Sequence, residues 1–180
     1  MRLLMVITDE FEEVEALATC AILRRAGLDV TITSLYSESA KGRYGINVNK
    51  LVKFSDIDYK QFDMLIIPGG PEYIAEEKDQ NFLTMVKYFA LNDKYIAAIC
   101  AAPTILGHLG LLKGKKYTCF TSMNENFGGT YIDKYVVRDG KLITGRSCAA
   151  SIDFALEIVD VLLGKEKLER LKQSIYYEHI

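Results

Sequence analysis

Cys100 stands where the short apolar run Tyr95–Ile99 gives way to AAPTILGHLG. The run follows Asn92, Asp93 and Lys94 and reads as a buried strand, and the stretch after it reads as a helix. A thiol thrown out at the carboxyl end of such a strand faces backbone N–H groups and a helix N-terminus, both of which lower a thiol pKa. Strand, small-residue turn and helix make a nucleophile elbow, and open α/β sheets bind ligands at that edge. The bland alternative is a buried strand-end cysteine: free cysteines are among the most buried residues, and ICAA lacks the glycines of G-x-S-x-G.

Other groups fall near the same edge. Glu12, Glu13 and Glu15 crowd the turn after the first apolar run. Acidic residues favour a helix N-terminus, which accounts for Glu12 and Glu13. Glu15 either lies on a solvated helix face or points back over the strand ends, where a protonated carboxyl could donate to a thiolate. Pro68-Gly69-Gly70 closes another apolar run. It is either a plain tight turn or a place where backbone N–H groups approach an oxyanion. Arg146 and Ser147 end LITGRS, where an arginine holds an anion or a structural carboxylate. Cys119 and Cys148 fall near that edge, whereas Cys20 lies within the first helix as a core thiol. His108 is eight residues beyond Cys100. That is roughly 12 Å along a helix axis, too far for a base. His179 is penultimate, so a Cys–His pair is poorly supported.

The elements that must position these groups alternate. Strands are expected at 2–8, 28–35, 63–67, 95–99 and 116–120, with a hairpin of 135–138 and 141–144 about Asp139-Gly140. Helices are expected at 13–26, 72–93 with a break near 78–81, 104–112, 151–163 and 165–177. Residues 37–44 read as a loop and 46–52 as a short hairpin region. This alternation implies a mostly parallel sheet with helices on both faces. No repeat or linker divides the 180 residues, so one domain spanning 1–180 is expected.

Composition excludes several classes. A net charge of −2 with interspersed signs offers no basic stripe for nucleic acid. No apolar run approaches the ~20 residues of a membrane span. The first residues, MRLLMVITDEFEE, turn acidic at once and lack a secretory pattern, which points to the cytosol. Four scattered cysteines without C-x-x-C argue against a disulfide framework or a metal site.

The ordered set FEEVEA, RRAGLDVT, IIPGG, AAICAAPT and ITGR followed by FALEIVDVLLGK spans nearly the whole chain. It resembles the DJ-1/ThiJ/PfpI superfamily, in the branch with the ThiJ-like bacterial proteins. The resemblance implies a flavodoxin-like three-layer α/β sandwich, commonly a homodimer, with the first helix and the loop 43–47 at the twofold axis. It implies Cys100 as the reactive cysteine and Glu15 as its protonated carboxylic partner. Gly70 and Ala101 match the backbone donors, and Gly69 and Arg146 match ligand-binding positions. The activity implied is a cofactor-independent glyoxalase or deglycase acting on a small reactive aldehyde or a glycated substrate. The alternative is a redox-responsive site in which Cys100 oxidises to sulfinic acid. An amidase or peptidase, or a role in thiamine biosynthesis, ranks below both. Two departures bear on this. The place of a histidine found in many glyoxalase-active relatives is Phe120 here, beside Cys119, and the residue after the elbow cysteine, a histidine in the protease-like branch, is Ala101. Thr104, Asn126 and Tyr44 remain as alternatives for a second proton-transfer group.

Overall fold

The structure, a computed structural model, describes residues 1–177. His179 therefore lies outside the described residues. Strand β1 (Arg2–Ile7) is buried from Leu3 onward, and its side chains alternate between two cores. Leu3, Met5 and Ile7 enter one, and Leu4 and Val6 the other. β6 (Met64–Ile67) and β7 (Tyr95–Ile99) divide in the same way. A strand covered on both faces must be apolar at every position, which explains the continuous runs in the sequence.

The seven-stranded sheet runs β10-β11-β7-β6-β1-β2-β5, with β2 at Asp29–Ser34, β5 at Val52–Lys53, β10 at Val136–Asp139 and β11 at Leu142–Gly145. All neighbours are parallel except β10 and β11, the hairpin about Asp139-Gly140. Helices α1 (Thr19–Arg25), α5 (Ser151–Leu163) and α6 (Lys165–Ser174) pack together through one core. Helices α3 (Gln80–Leu91) and α4 (Ala102–His108) fill the other. The result is the three-layer, flavodoxin-like α/β sandwich expected from the sequence. Helix α3 starts where Asp79 caps it, its carboxylate accepting from Asn81 and Phe82 N–H groups, which is the break expected near 78–81.

Several elements differ from expectation: the helix expected at 104–112 spans 102–108, and residues 46–52 form no hairpin of their own. The first helix starts at Glu13 as expected, but Val14–Ala18 forms a wide π-helical turn before it continues as α1. Such turns are frequent at functional sites. The loop at 37–44 contains β3 (Ser39–Lys41), which pairs antiparallel with β4 (Asn47–Asn49) as an arm outside the main sheet. The strand expected at 116–120 is only β8 (Lys116–Tyr117), paired with β9 (Thr130–Tyr131). Residues 118–120 leave it, and the Phe120 N–H donates to the Cys100 carbonyl at 2.8 Å. The last helix ends at Ser174 rather than 177. Among the described residues no helix is long and apolar enough to cross a membrane.

Candidate active site

In chain order the sheet grows outward from β1 in one direction and then from β6 in the other, so β1 and β6 flank the topological switch point. Ligands of open α/β sheets bind outside the strand ends at such a point. Three turns converge there: the π-helical turn carrying Glu15, Gly69-Gly70 after β6, and Cys100 after β7.

Cys100 has φ of +63°, a left-handed backbone that costs a non-glycine residue of order 1–3 kcal/mol. Both its backbone groups are committed. Its N–H donates to the Gly145 carbonyl at 2.9 Å, and its carbonyl accepts from Phe120. The conformation is thus held by two neighbouring segments, and it turns the side chain out of the β7 line into the cleft. The turn has the shape of the elbow expected from the sequence, and the half-buried thiol both packs against the core and lines the cleft.

Glu15 is 1% exposed. Its Oε2 accepts the Gly69 N–H at 2.8 Å, its Oε1 has no hydrogen-bond partner among the described residues, and the carboxyl lies beside the Cys100 side chain at Gly69. The two turns are laced further: Glu12 N–H donates to the Gly69 carbonyl at 2.8 Å, and Glu12 Oε2 accepts from Glu15 N–H at 2.7 Å. Gly69 is where acid and thiol meet. A Cβ built there would lie 2.6 Å from Glu15 Oε2 and 2.7 Å from the Cys100 Cβ. Only a residue without a side chain lets the pair touch. Gly70, at φ +113°, is equally constrained, since a Cβ would meet the Glu10 carbonyl and the Glu12 nitrogen at 2.6 Å.

Burial pushes the Glu15 carboxyl up to about 7, with the Glu12 charge adding to it and the neighbouring Cys100 thiol and the Gly69 N–H opposing it. The Cys100 thiol is also pushed up, by burial and then by the negative charge of Glu15 beside it. This corrects the expectation of a thiol lowered by the helix start. The Ala101 N–H does lower it, but burial and Glu15 outweigh that donor. A thiolate here requires that the proton stay within the pair, on Glu15.

The cleft over the pair encloses 390 Å³. Cys100, Glu15, Gly70 and Ala101 form its floor, and Tyr44, Ile74 and Phe120 are among its walls. No acceptor among the described residues takes the Gly70 N–H. Glu13 does not serve the helix start as expected. It is buried, and its Oε1 accepts from the Tyr44 and Ile46 N–H groups, tying the arm to the site.

Arg146 lies outside this cleft. It pairs with Asp133 at 2.6 Å and lines an adjoining cavity that shares Phe120 and Ser147. Of its two expected roles the structure displays the structural carboxylate. His108 is on the surface, 2.6 Å from Glu77 and 3.3 Å from Glu125. Tyr44 borders the cleft. Thr104 is buried with its hydroxyl unpartnered, and Asn126 is exposed and bonded to the Gly128 N–H. Phe120, in the expected histidine place, does stand at the cleft wall.

Sequence reasoning missed Glu72 and Glu76. Both are buried, Glu72 Oε2 accepts the Thr8 N–H at 2.6 Å, and neither Glu76 oxygen has a partner. The signal was present as two glutamates four apart immediately after the Pro-Gly-Gly turn.

Relatives share this arrangement of elements. The crystal structure of Drosophila melanogaster DJ-1beta superposes with a TM-score of 0.91 at 31% identity, over 99% of this chain and 100% of that one. By sequence the Drosophila protein is 31% identical, covering 96% of this chain and 95% of its own length. A Caenorhabditis elegans protein named glutathione-independent glyoxalase DJR-1.2 is 31% identical over 96% of this chain and 94% of that one. Deglycase TK1284 of Thermococcus kodakarensis is 30% identical over 81% of this chain and 90% of that one. The chain spans 43% of the longer Arabidopsis thaliana DJ-1 homolog A. The DJ-1/PfpI family model matches residues 1–161, and the chain belongs to that family.

Proposed function

We propose that the protein converts small dicarbonyls such as methylglyoxal to hydroxyacids, with Cys100 as nucleophile and Glu15 as acid and base. The carrying observation is the Glu15–Cys100 contact across Gly69, where no third side chain intervenes. The Cys100 sulfur attacks the aldehyde carbon, and the carbonyl electron pair moves onto oxygen. In this reading the N–H groups of Gly70 and Ala101 hold that oxyanion. Glu15, titrating at about 7, takes the proton from the adduct carbon and returns it to the neighbouring carbon. The resulting thioester is cleaved by water, which frees the hydroxyacid and Cys100. The names of the nematode glyoxalase and the archaeal deglycase support this class of substrate.

Turnover of methylglyoxal to lactate tests it. Cys100→Ser and Glu15→Gln are expected to fall to the uncatalysed rate. Full activity in either variant overturns the reading.

A redox-responsive site is the second reading. It is favoured by the make-up of the cleft, whose walls hold Phe120 and no histidine among the described residues. We also propose a homodimer through the first helical turn and the arm. Val14, Tyr44 and Ile46 are exposed by half or more there, an apolar face suited to an isologous contact. Light scattering that finds a monomer at micromolar concentration overturns this. A reducing cytoplasm suits a chain whose four cysteines are all unpaired.

A further inference from the structure

Two of the four free cysteines share one cavity. Cys20 and Cys119 are buried at 4% and 0% exposure, but Cys148 is exposed and lines the cleft together with Cys100. The strand that leads to Cys148 is the neighbour of the strand that ends in Cys100. Gly145 pairs with Ile99 across β11 and β7, and its carbonyl holds the Cys100 N–H. Ser147 then runs fully extended along the same cleft, and Cys148 opens a single turn, Cys148–Ala150, ahead of α5. Glu12 and Glu15 line the same cleft as the two thiols. None of the chemistry proposed above uses Cys148.

We propose that Cys148 is a resolving thiol for Cys100, capturing its oxidised form as an intramolecular disulfide. The inference rests on the reading that Cys100 is the reactive nucleophile of the cleft. The oxidant is a hydroperoxide. The Cys100 sulfur attacks the terminal peroxide oxygen; an S–O bond forms, the O–O bond breaks, and the leaving oxygen departs protonated as water or an alcohol. Cys100 is then a sulfenic acid, oxidised by two electrons. The Cys148 sulfur attacks the Cys100 sulfur; an S–S bond forms, the S–O bond breaks, and hydroxide leaves with the Cys148 proton as water. With hydrogen peroxide the sum is two thiols and one peroxide giving one disulfide and two waters. Without the second thiol the sulfenic acid meets more peroxide and proceeds to sulfinic acid, which thiols do not reduce. Cys148 therefore turns an irreversible oxidation into a reversible one, closing the cleft to substrate until a reductant reopens it.

The test uses the reduced full-length protein and hydrogen peroxide. After a stoichiometric dose, free thiols are blocked with N-ethylmaleimide and the peptides are mapped by mass spectrometry without reductant. The expected product joins the Cys100 and Cys148 peptides with loss of two hydrogens, independently of protein concentration, and dithiothreitol reverses it. Cys148→Ser, at an exposed position, is expected to lose the joined peptide. Its Cys100 peptide gains two oxygens at a peroxide dose that leaves the wild type recoverable. Cys119→Ser is expected to keep the joined peptide. Wild type that forms sulfinic acid at the same dose as Cys148→Ser, with no joined peptide, overturns the inference. Methylglyoxal turnover on the same preparation separates the two readings. Turnover without a disulfide sinks only the resolving thiol, whereas a disulfide without turnover leaves it standing and sinks the enzyme.

Discussion

Glu15 and the Glu72–Glu76 pair are buried carboxyl groups of neighbouring turns, and they resolve the same physical problem differently. Burial raises all three above the ordinary carboxylate value. Glu15 meets a backbone N–H, a thiol and a 390 Å³ cleft. Glu72 meets one backbone N–H, from Thr8, and Glu76 meets none. Neither lines that cleft. A raised carboxyl is therefore no mark of a reaction centre by itself. What sets Glu15 apart is that a nucleophile and open space lie against it.

The harshest way to break this comparison is at the point where acid and thiol meet. Gly69→Ala drives a methyl group into Glu15, the Cys100 Cβ and the Ile99 carbonyl, all within 2.8 Å. Overpacking of this kind costs about 1–3 kcal/mol, and here one of the obstacles is backbone, so the upper end is expected. Methylglyoxal turnover should vanish with it. A Gly69→Ala protein that keeps both its stability and its turnover would mean that the contact across Gly69 is not needed.

Next come the two glutamates without a cleft. An acid raised by folding contributes stability that is complete below its unfolded pKa, near 4.5, and is lost as pH rises through the folded value. Glu76→Gln and Glu72→Gln should thus leave stability unchanged in acid and raise it in alkaline solution, with turnover retained. Urea unfolding at about pH 4 and about pH 8 reads the difference. Equal denaturation midpoints for wild type and Glu76→Gln at the higher pH would show that its buried oxygens are satisfied in solution.

Glu15→Gln sharpens the contrast, because stability and activity should part. Moving a carboxyl from 4.5 to about 7 costs about 3 kcal/mol once it is ionised. The loss of wild-type stability falls between those two values, so the variant should be the more stable protein at about pH 8 and inactive throughout. A variant that is less stable at every pH would show Glu15 to be a structural anchor for Gly69 rather than an acid held ready.

Much of this site was legible because its parts sit where local patterns change. Tyr95–Ile99 stops being apolar and β-like at Cys100, and Met64–Ile67 stops at Pro68-Gly69-Gly70. Ser151–Leu163 was bounded correctly by its amphipathic period and by Gly164. The parts that escaped depend on tertiary packing. Glutamates at 72 and 76 look like ordinary helix-start acids until α2 (Tyr73–Glu76) is laid against α4 and Glu72 meets the Thr8 N–H. The π-helical turn at Val14–Ala18 carries no local signature, since its backbone is near-helical at both ends. Arg146 was placed at the correct edge, but its partner, Asp133, comes from an irregular segment whose path no periodicity reveals. Cys148 lines the Cys100 cleft one extended residue, Ser147, beyond Arg146, and extension at a single residue cannot be read from sequence.

The smallest effect is expected at His108, where the sign of the carboxylate story reverses. Its ring bridges Glu77 and Glu125 on the surface with the side chain 47% exposed. Slight burial lowers its pKa, but the hydrogen bonds and charges of Glu77 and Glu125 outweigh that and raise it. A histidine raised by folding adds stability that is complete below its unfolded pKa, near 6.5, and is lost as pH rises through the folded value. Exposure and salt screening hold this to about 0.2–1 kcal/mol. His108→Gln should therefore cost that much at about pH 5.5 and nothing at about pH 8.5, and the difference should shrink in high salt. It should leave turnover untouched at both. A loss of turnover would require the ring to reach Cys100 from two helical turns away, and the separation expected between surface ion pairs and the buried Glu15–Cys100 pair would then fail.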